Sequence, residues 1–179
     1  MGLVSNLQLM GQYNRWMNQK IYQQAQQLDD KEIQQDRGAF FGSIFGTLNH
    51  IYVADIIWLR RFAQFAKPYP SLARLPKLNS YTNLRQTIAH NLSSLWELRE
   101  KLDKIIIDWC GEIDSEDLEQ NLQYTDTKGT SYHKNLGQLV HHFFNHQTHH
   151  RGQVSTLLTQ QGIDLGVTDL LAILPEQTS

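Results

Sequence analysis

Apolar side chains recur at steps of three and four residues in four long segments of this sequence. In the first segment, from about Leu3 to Leu28, they are Leu7, Met10, Tyr13, Met17 and Ile21. This spacing places them on one face of a helix, and such a face must be covered by another element. The other three segments run from about 41 to 65, from 81 to 109 and from 136 to 162. The sequence therefore predicts four amphipathic helices.

Polar and proline residues predict where these helices begin and how they are connected. Asn79 or Ser80 is the predicted N-cap of the third helix, whose apolar stripe starts at Leu84 and Ile88. Asn135 precedes the fourth helix, with Gln138 three residues later, as in a capping box. Between the second and third helices, "KPYPSLARLP" holds three prolines and predicts a long crossover without regular helix.

Two shorter features complete the predicted fold. In the stretch "LQYTDTKGTSYH", turn residues at 126–129 are flanked on both sides by polar and apolar residues, and this pattern predicts a hairpin. The ending "VTDLLAILP" predicts a short helix capped by Thr168 or Asp169. Without an internal repeat or linker, residues 1–179 are expected to form one domain. The predicted fold class is all-α: a four-helix bundle with a long crossover, a small β-hairpin before the fourth helix and a short C-terminal helix.

Composition excludes several classes of function. Sixteen Lys and Arg against eighteen Asp and Glu give a net charge of −2. Because the basic residues form no stripe, nucleic acid is not expected as a partner. No apolar run approaches the ~18 residues that a membrane-spanning helix needs, and no leader is evident, so we expect a cytoplasmic protein without a membrane partner. Cys110 is the single cysteine and is expected to be a buried apolar residue.

The fourth helix carries five histidines, of which two face the predicted core. At about 100° per residue, His146 and His150 lie towards the apolar stripe, whereas His142 and His149 lie away from it. Residues four apart on a helix have Cβ atoms about 5–6 Å apart, at which two imidazoles can share one cation. The roles of His142 and His149, and of His141 just before them, are not assigned by this projection.

A mononuclear metal site needs a third ligand, and His50 in the second helix is the best candidate. It lies at one edge of the stripe that includes Trp58 and Phe62, two residues expected to belong to the core. Other metal sites fit less well, because Gln147 stands where a zincin helix needs glutamate and no Glu-x-x-His motif is present. The residues alone leave two interpretations open: a metal site, or histidines that are solvated or hydrogen-bonded.

Several segments together resemble the DinB-like (DinB/YfiT) family of metal-binding four-helix-bundle proteins. The resemblance covers nearly the whole chain; the segments are "QYNRWMNQKIY", "FFGSIFGTLNHIYVADIIWLRRF", "YTDTKGTSYHKNLGQLVHHFFNHQTHHRGQVSTLLTQQGID" and "GVTDLLAIL". It implies a divalent metal ion, commonly zinc or nickel, bound by His50, His146 and His150, with open positions for water or substrate.

Two functional hypotheses follow from this resemblance. The first is a metal-dependent S-transferase or isomerase that uses a low-molecular-weight thiol and a small electrophilic substrate. In it, Arg151 would bind a carboxylate, Gln153 would hydrogen-bond to the site, and Asp55 would orient a ligand, although pairing with an arginine is favoured for Asp55. The second is a non-enzymatic metal-binding or stress-response protein whose site is structural or sensing. A homodimer formed through a helical face belongs to this hypothesis. An open coordination position beside a pocket favours the first.

Overall fold

Helices dominate the fold of this computed structural model, which describes residues 2–76 and 84–176. The α-helices are α1 (Leu3–Ala25), α2 (Asp30–Gln34), α3 (Ile44–Phe62), α4 (Leu92–Glu112), α5 (Ser115–Glu119) and α6 (Leu136–Thr159). Two 3-10 helices occupy Pro70–Arg74 and Leu170–Ile173, and one antiparallel sheet joins β1 (Asn121–Thr125) to β2 (Ser131–Asn135). The prediction of a mostly helical fold with one small hairpin is confirmed.

The four long helices share one apolar core. Helix α1 packs against α4 and α6, and α3 packs against α6. Phe62 of α3 stacks on Trp109 of α4 at 4.8 Å between ring centroids, and Phe143 of α6 meets Trp109 edge-on at 6.0 Å. Cys110 is completely buried, as predicted, and burial raises the pKa of its thiol to about 12. None of the described helices combines the length and apolar content needed to cross a bilayer.

The start of the third long helix differs from the prediction. Helix α4 begins at Leu92 after the N-cap Asn91, and residues 84–91 are irregular, although Leu84 and Ile88 fit the helical stripe. The Asn49 side chain on α3 explains the difference, because its amide donates to the carbonyl of Gln86 and accepts from the backbone N–H of Ile88. These bonds satisfy the backbone outside a helix. The predicted caps Asn79 and Ser80 lie outside the described residues.

The other helix ends follow the predictions within a few residues, with differences in capping. Asn135 accepts from the backbone N–H of Gln138 at 3.0 Å, but the Gln138 side chain does not accept from the Asn135 backbone N–H, so the capping box is not reciprocal. The C-terminal helix is a short 3-10 turn preceded by Asp169, whose side chain does not cap it. Helices α2 and α5 were not predicted, since five residues are too few to display helical periodicity.

Hydrogen bonds fix the turn of the hairpin, and its aromatic side chains pack towards α3. Tyr124 pairs with Tyr132 across the strands, and their rings stack at 5.4 Å. In the turn, the Asp126 carboxylate accepts from two backbone N–H groups, those of Lys128 and Thr130, and Gly129 adopts a φ of 87°. The hairpin therefore places a row of side chains above the helices that carry the candidate histidines.

Candidate metal centre

Three histidines from two helices meet at one point. His50 on α3 and His146 and His150 on α6 each offer a ring nitrogen, and these nitrogens all lie within 4.8 Å of one another. The Nε2 atom of His146 lies 3.4 Å from that of His50 and 3.1 Å from that of His150. Two nitrogens that bind one zinc ion at about 2.0–2.1 Å in tetrahedral geometry lie roughly 3.3–3.4 Å apart. The cluster therefore has the spacing needed to hold a metal ion.

The opposite ring nitrogens explain why these Nε2 atoms carry lone pairs. The Nδ1 atom of His50 lies 3.3 Å from the backbone carbonyl of Leu84, and because a carbonyl only accepts, this Nδ1 donates. In the same way, the Nδ1 atom of His150 donates to Oε1 of Gln153 at 2.7 Å. A neutral imidazole that is protonated on Nδ1 presents an unprotonated Nε2. Both rings are thus held in the tautomer that a metal ligand requires.

Burial keeps the rings neutral. It lowers the pKa of His50 to about 4, an effect that the Leu84 carbonyl opposes and that His150 and Arg85 reinforce. It also lowers the pKa of His146 to about 3, with the neighbouring histidines adding to the shift. The Nε2 lone pairs of His50 and His150 therefore face the Nε2 atom of the neutral His146 ring, an arrangement to which a cation can bind.

A phenylalanine closes one side of the cluster. The Phe41 ring stacks on the ring of His50 at 3.7 Å between centroids and meets His150 edge-on at 5.5 Å. The tight turn at Gly42, with a φ of 78°, positions this ring ahead of α3. The carbonyl of Phe41 also approaches Gly46 so closely that a Cβ there would lie only 2.2 Å away. The chain thus brings hydrocarbon against two of the three imidazoles.

On another side of the cluster, the described residues enclose a cavity. This cavity of about 180 Å³ lies beside His50 and His146 and is also lined by Leu84, Trp58 and Thr127 of the hairpin turn. It has room for several water molecules or for part of a small ligand. Within the described part of the chain, this cavity provides an approach to the cluster.

Among the residues predicted around the site, Gln153 contacts the cluster through His150. Asp55 does not; its carboxylate accepts from Arg99 at 2.6 Å and from Gln147 at 2.8 Å, so it makes the arginine pair that was favoured for it. Arg151 is buried, and its guanidinium donates to Asn14 of α1 and to Thr148. The structure does not bring Arg151 to the cluster, and the substrate-binding role predicted for it has no contact to support it.

The remaining histidines of α6 differ in their surroundings. His142 meets Trp58 at 5.0 Å and His146 at 6.1 Å between ring centroids, and it lines the cavity beside the cluster. All three of these histidines are exposed, and His149 accepts from the amide of Gln153 at 3.3 Å. Phe62 is buried as predicted, but Trp58 is only partly buried and forms part of the cavity wall.

A buried network of charged and amide groups lies beneath the cluster. Arg99 on α4 forms ion pairs with Asp55 and with Asp103, and Asn18 of α1 donates to Asp103. Burial raises the pKa of Asp55 to about 6, although Arg99 and Gln147 act in the opposite direction. Apart from an arginine partner for Asp55, neither this network nor the Phe41 wall was predicted, since each depends on contacts between separate segments. The sequence signal for this network is Arg99, which lies next to the apolar stripe of α4.

Comparisons with known proteins point to one family. The DinB family model matches residues 3–177. The protein named DinB of Bacillus subtilis strain 168 is 27% identical over 158 residues, which are 88% of this chain and 87% of the length of that protein. No solved structure matches the chain at a comparable level of significance.

Proposed function

Since the chain belongs to the DinB family, whose model spans residues 3–177, we propose that it binds a divalent metal ion through His50, His146 and His150. The convergence of three Nε2 atoms, two of them 3.1 Å and 3.4 Å from the third, carries this proposal. Two of the rings are oriented by acceptors on their far nitrogens, as ligand histidines commonly are. Zinc and nickel are the proposed ions because the resemblance to the DinB-like family implies them; imidazole ligands suit copper and iron as well.

The finer proposal is a metal-dependent transferase or isomerase that uses a low-molecular-weight thiol. Three neutral ligands leave the charge of a divalent ion uncompensated, so a bound ion would supply Lewis acidity and lower the pKa of a nearby thiol. The residues of the chain would orient the reactants: the Phe41 ring excludes water on one side, and the cavity beside His50 and His146 admits the thiol and a small electrophile on the other.

The architecture that supports this site is proposed to be a four-helix bundle formed as one domain of residues 1–179. Helices α1, α3, α4 and α6 are its members, and the packing of α1 on α4 and α6 and of α3 on α6 supports this arrangement. In bundles, side chains on facing helices build metal sites in the interior. Here α3 and α6 would supply the ligands.

The metal proposal is tested by the metal content of protein purified without a metal-affinity tag. After incubation with zinc or nickel and removal of unbound ions, the parent is expected to retain one ion per chain. His146→Gln is expected to weaken binding by more than about a hundredfold, since it removes the central nitrogen. His141→Gln changes an exposed histidine of the same helix and serves as the matched control. Equal metal content in the parent and His146→Gln would overturn the proposal.

The thiol proposal is tested next, on the metal-loaded parent. Several small thiols are incubated with a chromogenic electrophile, and the rate is compared between the parent, the metal-free protein and His146→Gln. A rate that requires both the ion and His146 supports the transferase. A protein that binds the ion but accelerates no such reaction would instead support the alternative, a non-enzymatic metal-binding protein with a structural or sensing site.

A further inference from the structure

A second, larger cavity adjoins the cluster under the hairpin. It has a volume of about 460 Å³, within the range typical of small-molecule sites. Trp58 and His142 line both this cavity and the smaller one that contains His50 and His146. The two spaces therefore share a wall, and a ligand in the larger cavity can extend towards the histidines.

Two cations line the larger cavity. The guanidinium of Arg61 lies 4.6 Å from the ring centroid of Trp58 and 5.0 Å from that of Tyr124, and the ammonium of Lys134 lies 5.0 Å from the ring of Tyr132. Among the described residues, neither cation forms an ion pair. Burial lowers the pKa of Arg61, which indicates a partly desolvated charge, and such a charge attracts an anion strongly.

The charge of the cavity favours a monoanion. Asp126 also lines it; its carboxylate accepts from the backbone N–H groups of Lys128 and Thr130, and its charge also interacts with that of Arg61. Burial, together with Lys134 and Arg61, lowers the pKa of His142, which also lines the cavity. Two cations against one anion leave a single positive charge, which matches one carboxylate better than a doubly charged phosphate.

The walls of the cavity favour a flat ligand. The rings of Tyr132, Tyr124, Trp58 and His142 follow one another from the hairpin to the cluster, with successive centroids 5.4, 5.5 and 5.0 Å apart. Aromatic surfaces bind unsaturated or aromatic groups by stacking and edge contacts. Lys134 lines only the larger cavity, whereas Arg61 also lines the smaller one beside His146, so positive charge extends from the hairpin towards the cluster.

We propose that this cleft, formed by α3, α6 and the hairpin, binds a small carboxylate with a flat unsaturated or aromatic body. The carboxylate contacts Arg61 and Lys134, and the body lies along Trp58 and His142 with its far end beside His146. The inference deepens the proposed function and rests on it, because this ligand is the one presented to the metal centre. The carboxylate belongs either to the electrophile or to the thiol.

The test uses 1-naphthoate, with its neutral amide 1-naphthamide as the matched ligand, in titration calorimetry on the parent protein. The naphthoate is expected to bind roughly tenfold more tightly than the amide, since a charge-assisted pair is lost in the amide. Arg61→Met and Lys134→Met are each expected to remove most of this preference. Lys134 is exposed on the hairpin, so its substitution reports on binding even if Arg61→Met fails to fold.

Another cavity of about 460 Å³, separate from the cleft and from the cluster, provides the matched control. It is lined by Arg15, Lys101 and Lys104, together with Glu100 and Asp108, and contains none of the three candidate histidines. Lys101→Met is expected to leave the preference for naphthoate unchanged. Equal affinity for the acid and the amide in the parent, or an equal loss in Lys101→Met and in both cleft variants, would overturn the proposal.

Competition with small thiols identifies the source of the carboxylate. If N-acetylcysteine displaces naphthoate and N-acetylcysteamine, which lacks the carboxylate, does not, the thiol carries the anionic group. If neither displaces it, the electrophile carries that group. Both results uphold the cleft.

Titrations on metal-free and zinc-loaded protein separate this proposal from the metal proposal. If the protein binds zinc but its naphthoate binding does not depend on Arg61, the cleft alone is overturned. Naphthoate binding that depends on Arg61, in a protein that takes up no zinc or nickel, would overturn the metal site alone.

Discussion

Gln147 and Asp55 are joined by a hydrogen bond of 2.8 Å between α6 and α3, from the side-chain amide to the carboxylate. Both side chains are completely buried. Gln147 follows the central histidine of the cluster, and Asp55 lies on the helix that carries His50. A buried polar contact at this place opposes rotation of one helix against the other, and such a rotation would separate the three ring nitrogens.

Replacement of Gln147 by Met is expected to lower the free energy of unfolding by roughly 1–2 kcal/mol, because the buried Asp55 carboxylate loses a donor and keeps only Arg99. Zinc affinity is expected to fall by about tenfold as the helices lose their fixed orientation. Urea denaturation and a zinc competition assay measure the two effects. The control Gln138→Met, at an exposed position of α6, is expected to change stability by less than about 0.5 kcal/mol. A Gln147→Met protein as stable as the parent would contradict this account.

Replacement of Gln153 by Leu is expected to weaken zinc binding by about 10–100-fold, because the Nδ1 of His150 loses the acceptor that orients the ring. Competition with a chromophoric chelator measures the affinity. Gln153→Glu keeps an acceptor at this position and is expected to retain affinity near that of the parent. Should Leu and Glu at this position reduce affinity equally, the hydrogen bond is not what orients His150.

The stability of the metal-free protein is expected to fall as the pH is lowered from about 6.5 to 4. The ordinary pKa of histidine is 6.5, whereas burial lowers that of His50 to about 4. In this window the unfolded chain therefore binds the proton and the native ring resists it. For His50 alone the loss is up to about 1.4 kcal/mol per pH unit.

Urea denaturation of the parent and of His50→Gln across this pH range isolates that effect. Asp55 acts in the opposite sense, because burial raises its pKa from 3.8 to about 6 and its native carboxyl takes up a proton first. Both proteins retain Asp55, so its contribution cancels in the difference. The parent is expected to lose more stability than His50→Gln on acidification, and parallel pH profiles would exclude the depressed pKa of His50.

Local patterns in the sequence determined the four long helices, the hairpin and the inward direction of His146 and His150. All of these depend on spacing within one segment, which helical and strand geometry convert directly into shared faces. The same patterns predicted that His50 lies near a core edge, but on the residues alone they left its role as a third ligand open.

Only the tertiary structure decided which groups from different segments meet. It set the distance between His50 and His146, placed Phe41 against His50, and joined Gln147 to Asp55. Residues 84–91 fit a helical stripe but are irregular in the structure, because the Asn49 side chain on another helix forms hydrogen bonds with their backbone. Helical periodicity specifies which face of a segment is buried, whereas the rotation and depth at which two faces pack depend on every side chain between them.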